Sequence, residues 1–144
     1  MILLDTNVVS ELMKPEPVRN ASVVAWLRSL PPAEAYTTAL TVAAIFAGVE
    51  SAPPGRRRDD MMLAAHRIIG VFEGRILPFD APAARGYGSL KAARRAAGLH
   101  HDHAFDLQIA AIASHRNCAV TTRDVSDFAG LGVELINPWD HPAS

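Results

Sequence analysis

The first four positions form an unbroken apolar run, MILL, with no polar residue at alternate places. That pattern predicts a strand buried on both faces. Four further short runs read as strands: AYTTA (35–39), RILPF (75–79), CAVTT (118–122) and VELI (133–136). Between them the apolar period lengthens to that of a helix. A helix is expected from Asn7 to the stop at Lys14-Pro15-Glu16-Pro17, and an amphipathic one over NASVVAWLRSL (20–30), ended by Pro31 and Pro32. TVAAIFAGVE (41–50) is a helix with Thr41 as its N-cap. Pro53, Pro54 and Gly55 then break the chain, and Met62, Ala65, Ile69 and Phe72 recur at helical spacing within 56–74. Residues 81–98 form a helix closed by Gly98, LHHDH (99–103) a loop, and AFDLQIAAIASHR (104–116) a strongly apolar helix. RDVSDF and the Gly130 and Gly132 turn precede the last strand, and the tail from Pro138 to Ser144 is expected to be loose.

Strands alternating with helices predict an α/β fold: a five-stranded parallel sheet covered on both faces, a three-layer α/β/α sandwich. At 144 residues, a single domain over 1–144 is expected. In such sheets ligands bind beyond the carboxyl ends of the strands. Two acids stand at those ends, Asp5 after the first strand and Asp124 after CAVTTR, and Asp106 sits early in the apolar helix AFDLQIAAIA. Each has a plainer role available: Asp5 as a helix cap, Asp124 as a turn residue, Asp106 as a partner of the helix dipole. Converging in one hollow, they have a common consequence. Two carboxylates about 5 Å apart repel by roughly 3 kcal/mol at an effective dielectric near 20. Either some protonate or a cation joins them, and hard oxygen donors favour Mg²⁺ or Mn²⁺.

Bulk properties narrow the classes. Charged residues are 20% and the net charge is −1, so any nucleic-acid surface must be local. One cysteine, Cys118, excludes an internal disulfide framework and reads as a small buried hydrophobe. Neither a secretory signal nor a membrane span is visible, so a soluble cytoplasmic protein is expected.

The stretches MILLDTNVVSEL, TALTVAAIFAGVE, GRILPFD, DLQIAAIA, VTTRDVSDF and NPWD occur in an order that resembles the PIN-domain nucleases. The similarity is to VapC-type toxins of toxin–antitoxin pairs, in the FitB-like branch. It implies Mg²⁺- or Mn²⁺-dependent endoribonuclease activity, homodimers, and a cognate antitoxin through which operator DNA is bound. By position it assigns the acids to Asp5, Asp106 and Asp124, gives Thr6 and Asn7 the shaping of the first acid's turn and Thr122 a supporting hydrogen bond, and makes Asp127 a weaker candidate. The family's T-V-A-E glutamate is replaced: Thr41, Val42 and Ala43 are followed by Ala44. Glu50, six positions on and roughly 600° around the helix, is a poor substitute. The chain is therefore expected to be a weak or inactivated nuclease, the alternative being a non-catalytic module that binds an antitoxin or RNA. An aspartyl phosphatase ranks last, because Asn7 stands where its second acid belongs.

Other clusters are open to two readings. His100, His101, Asp102 and His103 match no strong zinc spacing and read as a solvated loop, with Asp102 a minor candidate for the site. Arg56, Arg57 and Arg58, and Lys91, Arg94 and Arg95, are either solvated helix faces or RNA-facing groups, at least one of them expected near the substrate path. Met61 and Met62 fill core or a dimer surface. Trp26 is either core or an antitoxin contact, and Trp139 anchors the tail.

Overall fold

The computed structural model describes residues 1–99 and 104–143. The five expected strands form one sheet: β1 (Ile2–Leu4), β2 (Ala35–Thr38), β3 (Ile76–Leu77), β4 (Ala119–Thr121) and β5 (Leu135–Ile136). Their spatial order is β3-β2-β1-β4-β5 and every pairing is parallel. The helices among the described residues are α1 (Thr6–Met13), α2 (Ala21–Arg28), α3 (Ala39–Glu50), α4 (Arg56–Val71), α5 (Ala81–Ala96) and α6 (Ala104–Arg116).

The strand order fixes which helix covers which face. The chain steps from β1 to β2 to β3 in one direction, then reverses to reach β4 on the other side of β1. Right-handed crossovers place helices on opposite faces for opposite directions of travel. The core divides accordingly. Leu4 packs with Val8, Val9, Trp26, Ile45, Val49 and Ala65 from α1 to α4, whereas Leu3 packs with Ala83, Leu107, Ile109 and Ile112 from α5 and α6. Adjacent strand residues point to opposite faces, so Leu3 and Leu4 feed separate cores and both are fully buried. Trp26 and Cys118 are buried within these cores, and Met61 and Met62 are partly buried against one of them. Burial pushes the Cys118 thiol pKa up, which suits an inert core residue. The reversal also leaves a crevice between the carboxyl ends of β1 and β4, the switch point at which such sheets bind ligands.

Three boundaries differ from the pattern reading. The N-cap of α3 is Thr38, not Thr41: its hydroxyl accepts from the Thr41 N–H at 3.1 Å. The strand passes into the helix without a loop, and of the threonines in TTALT the last one with extended backbone takes the cap. The helix α4 ends at Val71, earlier than expected. The tail is not loose from Pro138. Pro138–Asp140 form a 3₁₀ turn capped by the Asn137 side chain, with Pro138 buried and Trp139 packed against the α1–α4 core. Gly98 closes α5 as expected, in the left-handed region at φ 76°, with its N–H on Arg95 O and that of Leu99 on Arg94 O. No helix among the described residues is long and apolar enough to cross a membrane.

After β4 the chain makes a 3₁₀ turn, Val125–Phe128, whose Phe128 is fully buried in the α5–α6 core. This anchor holds the segment that carries Asp124 and Asp127. Phe128→Ala is expected to lower unfolding free energy by about 3–5 kcal/mol, read by urea denaturation.

Candidate active site

Asp5 occupies the N-cap position of α1, yet its side chain makes no capping bond to the helix. The backbone N–H of Asp5 donates to Thr121 O at 2.9 Å, an extension of the β1–β4 ladder that fixes the residue at the crevice. Asp5 is 5% exposed, and its carboxylate accepts the Thr122 hydroxyl at 2.9 Å. Burial pushes its pKa above the ordinary 3.8; the Thr6 backbone N–H and the Thr122 hydroxyl oppose that shift, and the charges of Asp124 and Asp127 add to it.

The Thr122 hydroxyl is used completely. It accepts from Asn7 Nδ2 at 3.1 Å and from the Asp124 N–H at 3.0 Å, so its one proton goes to Asp5. Asn7 ties the same groups together from α1. Its amide donates to Asp124 Oδ2 at 3.1 Å, lies 3.4 Å from Asp5 Oδ2, and its oxygen accepts the Arg123 N–H at 3.2 Å. On the far side, the Thr6 hydroxyl is 3.2 Å from that of Thr41 on α3. Thr122→Val removes one donor and leaves two N–H groups without their acceptor. It is expected to lower stability by about 1–3 kcal/mol in urea unfolding, and to raise the Asp5 pKa further.

Asp5, Thr6, Asn7, Arg123 and Asp124 line a cavity of about 480 Å³. Asp5, Asp106, Asp124 and Asp127 all reach it, from β1, the first turn of α6 and the loop after β4. The three acids expected to converge therefore share one hollow, and Asp127 is with them. Asp124 does begin the turn that follows, its backbone carbonyl accepting the Asp127 N–H at 3.0 Å, but its side chain caps nothing there. Ala44 lies on α3, partly buried, one helical turn past Thr41, and is not among the lining residues. Glu50 is exposed, paired with Arg58 at 2.9 Å, and does not line the cavity. The cluster of His100, His101, Asp102 and His103 lies outside the described residues.

None of Arg56, Arg57, Arg58, Lys91, Arg94 or Arg95 lines the cavity. Arg94 is 3% exposed and donates to the backbone carbonyl of Asp127, so it props the acid-bearing turn and faces no substrate. An amphipathic period cannot reveal this, because Arg94 is the single cation on α5 that the turn covers. The cavity's cations are instead Lys14 and Arg123. Lys14 pairs with Glu11 at 2.7 Å, and Arg123 stacks on Trp139 with its guanidinium carbon 5.3 Å from the ring centre. Glu11 also went unrecognised in the sequence. Burial opposes its ionisation, but the Lys14 and Asn20 hydrogen bonds prevail and hold its pKa below the ordinary value. The available signals were the i,i+3 spacing of Glu11 and Lys14 and the place of Arg123 between Thr122 and Asp124.

The donor set suits an oxygen-seeking divalent cation. No three acid, histidine or cysteine side chains among the described residues stand close enough to hold one ion between them. Mg²⁺ needs no such triplet, because it retains several waters and takes one or two carboxylates. Asp5, with its raised pKa, and Asp124 and Asp106 in the same hollow fit that requirement.

The sequence model of the PIN domain matches residues 2–132. The chain belongs to the PIN-domain family. It is 40% identical over 141 residues to VapC ribonuclease Y4jK of Sinorhizobium fredii, covering 97% of this chain and 99% of that protein. It is 40% identical over 140 residues to toxin FitB of Neisseria gonorrhoeae, covering 96% and 99%. The solved structure of FitAB bound to an IR36 DNA fragment superposes with a TM-score of 0.88 at 38% identity, covering 99% of this chain and 98% of that one. The PIN fold supplies the crevice between the carboxyl ends of β1 and β4.

Proposed function

We propose that this PIN domain is the toxin of a toxin–antitoxin pair, a metal-dependent endoribonuclease whose cleavage is weakened or lost through Ala44. The observation that carries the reading is the meeting of Asp5, Asp106 and Asp124 in one cavity at the switch point of the sheet. Relatives named VapC ribonuclease and toxin FitB, and a FitAB complex on DNA, support it. Asp5, with Asp124 or Asp106, would hold Mg²⁺ or Mn²⁺, water completing the coordination. When bound, the ion supplies an acidified water as nucleophile and positive charge for the phosphoryl oxygens.

The remaining work falls to the chain's own residues. Thr122 holds Asp5 in the orientation of its ionised form by donating to Oδ2. Asn7 sets the spacing of Asp5 and Asp124 through a single amide. Arg94 and Phe128 hold the turn that bears Asp124 and Asp127. An antitoxin is the proposed partner, operator DNA is reached through it, and the protein is proposed to pair with a second copy.

Ala44 favours one other reading, a PIN-like module that binds an antitoxin or RNA without cutting. The deciding experiment is RNA cleavage with Mn²⁺ by the chain as it stands and by Ala44→Glu. Cleavage confined to the glutamate variant supports the disabled nuclease. Cleavage by neither, with partner binding intact, supports the module.

A further inference from the structure

We infer that Glu11 is a positioning residue for the ion site: its buried carboxylate holds the Lys14 ammonium away from Asp5, Asp106 and Asp124, leaving those acids free for a divalent cation. This rests on reading the cavity as an ion-dependent site. One face of α1 carries Asn7, Ser10 and Glu11 and ends at Lys14, the C-cap, with spacings of three and four residues, and all four line the cavity. Asp5 stands at one end of that face and Lys14 at the other. Nine residues separate them, about 13 Å along a helix axis, and Glu11 lies between.

Glu11 is 7% exposed, and both of its oxygens are used. Oε1 accepts the Asn20 N–H at 2.8 Å, and Oε2 takes the Lys14 ammonium at 2.7 Å. Asn20 is itself fixed, because its side-chain oxygen caps α2 by accepting from the Ser22 and Val23 N–H groups. The carboxylate is therefore wedged between α1 and α2, whereas Lys14 is half-exposed on a flexible stem. A mobile ammonium beside a cluster of carboxylates settles on the best-fixed one, and Glu11 supplies it. Its charge also reaches Arg123, the other cation lining the cavity. Without Glu11, Lys14 and Arg123 have only the four aspartates to offset them. Positive charge within a Debye length of a bound ion opposes its binding. Glu11→Gln isolates the effect, because its amide oxygen still accepts the Asn20 N–H and only the hold on Lys14 is lost.

The test is titration of the chain with Mn²⁺, the free ion being read by electron paramagnetic resonance. At low salt Glu11→Gln should bind Mn²⁺ about 3- to 10-fold more weakly than the native chain, the scale of one or two charges at about 10 Å. Lys14→Met added to Glu11→Gln should recover most of that loss, and Lys14→Met alone should bind at least as tightly as the native chain. About 500 mM NaCl should shrink the loss, since salt screens a field and does not replace a missing ligand. Unchanged affinity in Glu11→Gln overturns the role. So does a loss that Lys14→Met fails to recover, which makes Glu11 a ligand of the ion or a support of the fold. Absence of Mn²⁺ binding by the native chain removes the ion site and the role with it. The nuclease reading fails separately. If Ala44→Glu cuts no RNA while the Mn²⁺ series behaves as expected, Glu11 positions Lys14 at an ion site without the enzyme. If Ala44→Glu cuts RNA and Glu11→Gln binds Mn²⁺ as the native chain does, the enzyme stands without this role for Glu11.

Discussion

Ala44→Glu is expected to raise Mn²⁺-dependent cleavage of RNA by roughly 10²–10³-fold over the chain as it stands, the usual scale for one charged or polar group at a reacting phosphate or carbonyl. Position 44 follows Thr41 by one turn of α3, and residues three apart share a helix face. The Thr41 hydroxyl touches that of Thr6, next to Asp5, so this face of α3 is already directed at the site. Alanine and glutamate are both good helix formers, so α3 is expected to keep its length. A quenched-fluorophore RNA with Mn²⁺ checks the rate. Circular dichroism checks that the fold is unchanged.

Asp5→Asn is expected to have opposite effects on stability with and without the ion. At an ion concentration 100 times its dissociation constant, the native chain gains about 2.7 kcal/mol, and the variant gains far less. Without the ion the variant is the more stable of the two, because a buried charge is gone. The pH dependence has a definite sign. Burial raises the Asp5 pKa, so between 3.8 and the higher folded value the native state binds more protons than the unfolded one. Stability from this group is full below that window and is lost as pH rises through it. Ion affinity runs the other way, because the ion needs the carboxylate. Thermal melts of both proteins across mildly acidic pH, with and without Mn²⁺, separate these effects: the asparagine variant should lack both slopes.

The sheet and its covering helices were legible because each strand is an apolar run and each helix has its own period. The convergence of acids could be read as well, because Asp5 directly follows β1 and Asp124 comes three residues after β4, and parallel sheets collect such ends at a switch point. What escaped depended on contacts between distant segments. Thr41 looks like a cap in isolation and becomes a buried contact for Thr6 only once α3 lies over β1. Arg94 resembles the exposed arginines beside it until the turn carrying Asp127 closes over it. The tail lacks any period, and it is ordered by the Asn137 cap, the burial of Pro138 and the packing of Trp139 against the core and Arg123.

Anomalous diffraction from crystals soaked in Mn²⁺ tests the shared acid site most directly. A single strong peak coordinated by Asp5 together with Asp124 or Asp106, and absent from Asp5→Asn crystals, is the expected result. Manganese bound elsewhere, with these carboxylates uncoordinated at saturating ion, would contradict the account.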